Sequence, residues 1–297
     1  MTITNRTVLI TGCSEGGLGD GLARAFHKNG DRVIATARNP AKTAHLKDLG
    51  IETLVLDVVS KESIAACVTA TAEKTGGTLD MLVNNSGCGY CMPLVDADLD
   101  EARRLFDVNV WAVLAVIQAF MPLLLKSAKK QGACIVNQTS VVSVLPNVIN
   151  GIYNSSKAAT AAMTDTLRLE LAPFNIKVVD LKTGSVVSQI FANQPGGEHP
   201  TLPANSIYLP AKDTVEGTMS GRPYMEGRMM TDQWASQVVG SLSSSWWPMP
   251  VQVWNGTSSW LVWFCRRFLP FTSLDTAISS MSGMDVVKQK VQFPSTP

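Results

Sequence analysis

Residues 7–19 read TVLITGCSEGGLG, an apolar run that passes directly into a glycine-rich turn. Thr7-Val8-Leu9-Ile10 is short, largely β-branched and free of turn residues, which is the composition of a buried strand. Gly12, Gly16, Gly17 and Gly19 then allow a tight backbone reversal, and the amphipathic stretch from about Asp20 to Lys28 predicts a helix. A glycine loop placed between a strand and a helix N-terminus gathers backbone N–H groups at one point, where they suit a pyrophosphate. The same loop also serves as an ordinary strand-to-helix turn, so the pattern of the chain beyond it decides between the two.

Outward from this loop the chain alternates. Further strands are expected at Arg32–Ala37, Leu54–Asp57, Met81–Val83, Cys134–Val136 and Ile176–Leu181, with helical segments between them, and a last strand at Pro250–Gly256 after a helix from Thr231 to Leu242. Such alternation predicts an α/β protein, a Rossmann-type doubly wound and mostly parallel sheet with helices on both faces. The 297 residues divide into one domain over 1–256 and an apolar, aromatic extension over 257–297. From residue 189 to about 230 no period is visible, and long irregular segments in compact domains are usually functional.

Composition narrows the partners. A hydrophobic content of 45% supports a sizeable core, and a net charge of +1 leaves no basic excess for nucleic acid. Six scattered cysteines and the absence of a charged-then-apolar leader predict free thiols in a reducing, cytoplasmic setting. The lone Cys88-Gly-Tyr-Cys91 has no second pair and no nearby His, so no metal is expected. The apolar stretch Val110–Leu125 contains Gln118 and Pro122 and falls short of the ~20 residues of a bilayer span; it predicts a buried central helix.

The chemistry centres on Ser140–Lys157, SVVSVLPNVINGIYNSSK. Tyr153 and Lys157 are four apart, and on a helix that spacing puts phenol and ammonium on one face. A cation beside a phenol favours the phenolate and pulls its pKa toward neutrality, as a general acid/base requires. Ser140 follows an apolar strand, so its hydroxyl is expected at the sheet's carboxyl edge. An Arg38, where an acidic residue would select the ribose hydroxyls of NAD, favours the 2′-phosphate of NADP(H). Asp57 at the end of the third strand has an N-cap as its alternative role.

With Thr11-Gly12, Asn84-Asn85-Ser86-Gly87, Asn109, Ser140, Tyr153 and Lys157 in this order, residues 5–190 resemble the short-chain dehydrogenase/reductase family. The spelling TGCSEGG, Thr183-Gly184 in place of Pro-Gly, and the tail are most similar to its fungal subgroup around NADPH-dependent 1-acyldihydroxyacetone-phosphate reductase. The resemblance implies hydride transfer between a nicotinamide and a carbonyl carbon, and the apolar residues of the segment 189–230 and of the tail suggest a lipid-like or secondary-metabolite ketone as the small-molecule substrate. In that scheme Tyr153 exchanges the proton, Lys157 lowers the phenol's pKa and bonds the nicotinamide ribose, Ser140 bonds the substrate oxygen and Asn109 maintains a proton relay. Gly12, Ser14, Gly17, Leu18, Gly19, Arg38, Asp57, Asn85, Gly87, Val186 and Ser188 would join Tyr153 and Lys157 in holding the cofactor. The loop departs from the family pattern by enclosing four residues between Gly12 and Gly17, so Gly16 is an alternative second glycine. The resemblance places a substrate lid at residues 189–230, and the small residues after Lys157 suit either a homo-oligomer contact or packing within the chain. The tail motif Trp260-Leu-Val-Trp-Phe264 with Arg266-Arg267 leaves three alternatives: a pocket-closing helix, a subunit contact, or a peripheral membrane anchor at an endoplasmic-reticulum or lipid-droplet surface. A cofactor-binding regulatory module, or a reductase that also guides cyclisation or isomerisation, are the alternative functions.

Overall fold

Seven apolar runs fold into one sheet of order β3-β2-β1-β4-β5-β6-β7, and every pairing in it is parallel. The computed structural model describes residues 5–197, 199–244 and 249–291; residues 1–4, residue 198 of the segment expected as a lid, residues 245–248 and the last six residues of the tail lie outside this description. The strands are β1 Thr7–Ile10, β2 Arg32–Ala37, β3 Glu52–Val55, β4 Met81–Asn84, β5 Ala133–Gln138, β6 Ile176–Thr183 and β7 Gln252–Asn255. Because β1 lies between β2 and β4, the winding reverses there, and the loops at the carboxyl ends of β1 and β4 open a crevice.

Helices cover both faces, as the buried runs demand. On one side α1 (Leu18–Lys28), the short α2 (Ala44–Asp48) and later α8 (Thr231–Ser243) pack through Leu22, Phe26, Leu46, Trp234 and Val238. Gly21 allows the close crossing of α1 and α8, since a Cβ there would lie 2.7 Å from Thr231 Cγ2. On the other side are α3 (Lys61–Thr75), α4 (Leu99–Phe106), α5 (Ala112–Ala128) and α6 (Gly151–Leu171). α5 is the buried central helix: Val116, Ile117, Phe120 and Leu124 are at most 1% exposed. Each such side chain contributes about 1.5–3 kcal/mol of burial.

Three expectations are corrected. β3 begins and ends two residues earlier than the apolar run suggests, because its register against β2 closes at Ala37↔Val55 and leaves Asp57 beyond the strand. Asn109, which falls in the helical segment expected between the fourth and fifth strands, lies not in a regular α-helix but in a π-helical turn, Asp107–Trp111, that joins α4 to α5. The segment after β6 is not wholly irregular, since α7 (Lys212–Met219) forms within it.

The tail forms α9 (Ser259–Phe268), α10 (Asp275–Met281) and α11 (Met284–Lys290). Met284 and Val287 pack against the cluster of Cys91, Ile149, Leu202, Val215 and Met219, and Tyr224 Oη lies 3.2 Å from Ser282 Oγ. Arg266 Nε donates to the Val144 carbonyl at 2.6 Å. These contacts tie the tail to the 189–230 segment and to the segment before Tyr153. The outer edge of α9 stays exposed at Trp260 and Phe268, as does the following Phe271.

Candidate active site

Tyr153 and Lys157 stand one turn apart near the start of α6, with Lys157 Nζ 5.8 Å from the centre of the Tyr153 ring. Two features fix that start. Gly151 is required because any Cβ would fall 2.3 Å from Leu94 Cγ, and Ile149 is held at φ 66°, a left-handed conformation costly for a β-branched residue. Its carbonyl accepts from Met92 N at 2.8 Å, which anchors the strained residue. Lys157 is buried and donates to the Gln138 carbonyl at 2.9 Å. Burial lowers its pKa from 10.5 to about 8, against the opposing pull of Cys88 and Asp180.

Tyr153 runs against expectation. Burial pushes its phenol above the usual value, the Cys88 thiol adds to the rise, and the Ser140 hydroxyl works the other way. Desolvation of the phenolate is the largest of these causes, so the phenol stays protonated at neutral pH. Ser140 sits two residues past β5, where its hydroxyl donates to the Thr183 carbonyl at 3.2 Å and accepts from Val142 N at 3.3 Å. The sheet's carboxyl edge thus carries Ser140 to Tyr153 as the strand reading requires.

Asn109 engages one neighbour with both ends of its amide. Oδ1 accepts from Cys88 N at 2.9 Å, while Nδ2 donates to the Cys88 carbonyl at 3.0 Å and to Ser156 Oγ at 3.1 Å. Its own carbonyl accepts from Thr160 Oγ1 at 2.8 Å. It therefore pins the segment after Gly87 to α6, and a Cβ on Gly87 would lie 3.2 Å from Asn109 Oδ1 and 3.6 Å from Lys157 Nζ.

The glycine loop forms a cradle that side chains would fill. Gly12 and Gly16 take positive φ, and Gly17 is the uncapped N-terminal residue of α1. Thus Gly16 supplies the left-handed turn and Gly17 the helix start; the extra residue is absorbed by the bond from Gly17 N to Ser14 O at 3.0 Å. A Cβ on Gly19 would lie 2.5 Å from both Asn85 Nδ2 and Gly12 O. Asn85 Nδ2 donates to Thr11 O and Gly12 O at 2.8 and 3.0 Å, which welds the loop after β4 to the loop after β1. An uncapped helix start and bare backbone fit a dinucleotide's phosphates. Two buried atoms without partners, Gln138 Oε1 and Thr183 Oγ1, flank Ser140 on β5 and β6 and add polar capacity.

The remaining residues surround this crevice less tightly. Leu18, partly buried, packs on the core beneath the loop. Arg38 is exposed just past β2, and its charge reaches the Cys88 thiol, opposing the rise that burial causes there. Asp57 is not the N-cap of α3; Ser60 is, and Asp57 Oδ1 accepts from Val59 N instead. Val186 is buried between Ser185 and Val187, whose amides are bound to the carbonyls of Thr257 and Met229. Ser188 is partly buried, next to Gln189, whose Nε2 would lie 3.4 Å from a Cβ on Gly16. The loop after β6 thus crosses the glycine loop. Cys91 donates to Asn150 Oδ1 at 2.9 Å, and burial pushes its thiol up to about 12.

Three contributors have no part in the sequence reading: Gln138 and the charged Asp180 and Lys182 inside β6; Thr11 of the Thr11-Gly12 motif adds a hydroxyl that accepts from Asn85 N and Ser86 N. Charges within an otherwise apolar strand were the available signal. A cavity of about 530 Å³ lies between His199–Thr201 and α7, and none of the residues named above for catalysis or cofactor lines it.

Residues 6–198 match the family model described as short chain dehydrogenase. A short-chain dehydrogenase/reductase of Pestalotiopsis microspora is 45% identical over 292 residues, 98% of this chain and 99% of that one. An NADPH-dependent 1-acyldihydroxyacetone phosphate reductase of Schizosaccharomyces pombe is 35% identical over 263 residues, 85% of this chain and 86% of that protein. Among solved structures, a short-chain dehydrogenase from Streptomyces avermitilis superposes with a TM-score of 0.74 at 23% identity, over 98% of this chain and all of that one.

Proposed function

The chain belongs to the short-chain dehydrogenase family and is an oxidoreductase of nicotinamide cofactors, and from that premise we propose that it uses NADPH to reduce a ketone of an apolar substrate to an alcohol. One observation carries the reading: the end of β5 sets Ser140 at the sheet's carboxyl edge, and the start of α6 sets Tyr153 and Lys157 one turn apart with Lys157 Nζ 5.8 Å from the Tyr153 ring. A nicotinamide bound across the crevice would supply hydride to the carbonyl carbon. The phenol of Tyr153 gives its proton to the oxygen as charge develops there, and a phenol raised by burial is protonated at neutral pH, as a donor must be. Ser140 Oγ turns from the Thr183 carbonyl to donate to the same oxygen. Lys157, with its pKa near 8, exchanges protons close to neutrality and so restores the phenol. Asn109 keeps the Cys88 backbone and α6 in register.

The preference for NADPH is supported by Arg38, by the absence of a carboxylate at the end of β2, and by the cofactor in the name of the S. pombe relative. The apolar substrate is supported by the lid residues Phe191, Leu202, Tyr208 and Met219, which pack with the tail. That relative's name also favours a second reading, an acylated dihydroxyacetone phosphate as substrate. Loss of absorbance at ~340 nm with NADPH, an acylated dihydroxyacetone phosphate and a panel of apolar ketones tests both. Tyr153→Phe should lower turnover by about 10²-fold or more while NADPH still binds; undiminished turnover would refute the role of the phenol.

A further inference from the structure

β6 carries two charges where a buried strand calls for apolar side chains. Asp180 and Lys182 are two residues apart, so they project from the same face of the strand. Their side chains are 0% and 3% exposed, with Lys182 Nζ 2.6 Å from Asp180 Oδ2. Burying such a pair brings little or no net stability over apolar residues of the same size, so its partners call for a functional account. Those partners lie on both sides of Ser140. Thr139 Oγ1 donates to Asp180 Oδ1, and Lys182 Nζ donates to Ser143 Oγ at 3.0 Å. Between them the backbone adds Thr139 N to Leu181 O at 2.9 Å, while Ser140 Oγ reaches Thr183 O. Lys182 Nζ is also 5.5 Å from the centre of the Trp254 ring on β7, which limits its freedom.

We propose that the buried Asp180–Lys182 pair is a positioning device: it clamps the 139–143 turn at both ends and thereby fixes the Ser140 hydroxyl toward Tyr153. The inference rests on the catalytic reading of Ser140 and Tyr153 given above. Neither charged group touches the reacting atoms. Their effect passes through the turn, and a donor displaced by a fraction of an ångström loses much of its value in the transition state.

The test uses three variants of the full chain. Ser143→Ala removes one clamp bond with little risk to folding, Ser143→Thr keeps the hydroxyl, and the double variant D180N/K182M removes the pair without leaving an unpaired buried charge. Amide hydrogen exchange over residues 140–143 should quicken about fivefold in S143A, the equivalent of one hydrogen bond, and more in the double variant. With whichever ketone the wild-type protein reduces, kcat should fall about tenfold in S143A and up to about a hundredfold in the double variant. NADPH affinity and KM for NADPH should hold, and S143T should restore both exchange and kcat. Unchanged exchange in S143A and the double variant, or unchanged kcat in both, overturns the clamp. Should the wild-type protein reduce no ketone, the catalytic reading fails instead, and the exchange measurement still decides whether the pair holds the turn.

Discussion

Lys157→Met should make the protein more stable at neutral pH and less stable at high pH. A fall in pKa from 10.5 in the open chain to about 8 in the folded one means that at pH 7 the native state carries a buried charge it disfavours by about 3 kcal/mol. Between pH 8 and 10.5 the unfolded chain keeps the proton and the native state sheds it. The unfolded state then binds more protons, so this group's contribution to stability rises with pH and is lost as pH falls through about 8. A methionine side chain would remove the whole penalty but leave the Gln138 carbonyl without its donor, at a cost of about 1–2 kcal/mol. The net expectation is a gain of roughly 1–2 kcal/mol at pH 7 and a loss of similar size near pH 10.5. Urea unfolding of both proteins at pH 7, 8, 9, 10 and 10.5 measures the difference. The wild-type curve by itself is a poor guide, because the buried thiols of Cys13, Cys91 and Cys134, raised from 9.0 to about 12, contribute stability present below pH 9 and lost above it. These groups are common to both chains and cancel in the difference. A difference that stays constant from pH 7 to 10.5 would refute the burial argument. The same substitution should abolish turnover, so the stability gained at neutral pH would be gained at the expense of the site.

Three further substitutions test other parts of the site. Gly19→Ala places a methyl 2.5 Å from Asn85 Nδ2 and Gly12 O; about 1–3 kcal/mol of stability should go, together with NADPH binding followed by fluorescence titration. Arg38→Ala should weaken NADPH binding about tenfold or more and leave NADH nearly unaffected, as the loss of one charged phosphate contact requires; equal losses would contradict the 2′-phosphate role. Tyr224→Phe removes the bonds to Asn147 at 2.9 Å and Ser282 at 3.2 Å, so the 189–230 segment should loosen by about 1 kcal/mol; if that segment covers the substrate as proposed, KM for the ketone should rise several-fold while kcat holds.

Most of the architecture and the motifs that mark the family were legible in the residues themselves, because they are written locally. Strand runs such as Val8–Ile10, the glycine loop and the i,i+4 spacing of Tyr153 and Lys157 each depend on neighbours within a few positions, and period and turn chemistry report them directly. The alternation of such units then leaves few topologies open. What packing alone decided involves partners far apart in the chain. Asn109 meets Cys88 across 21 residues, Thr139 meets Asp180 across 41 and Tyr224 meets Asn147 across 77. No local pattern encodes those meetings, since each arises only when the sheet order sets one loop against another. The direction of the Tyr153 shift belongs to the same class. A neighbouring ammonium can be read from spacing, but the burial that raises the phenol exists only once the chain has folded around it, because desolvation is a property of the assembled interior and not of any residue in it.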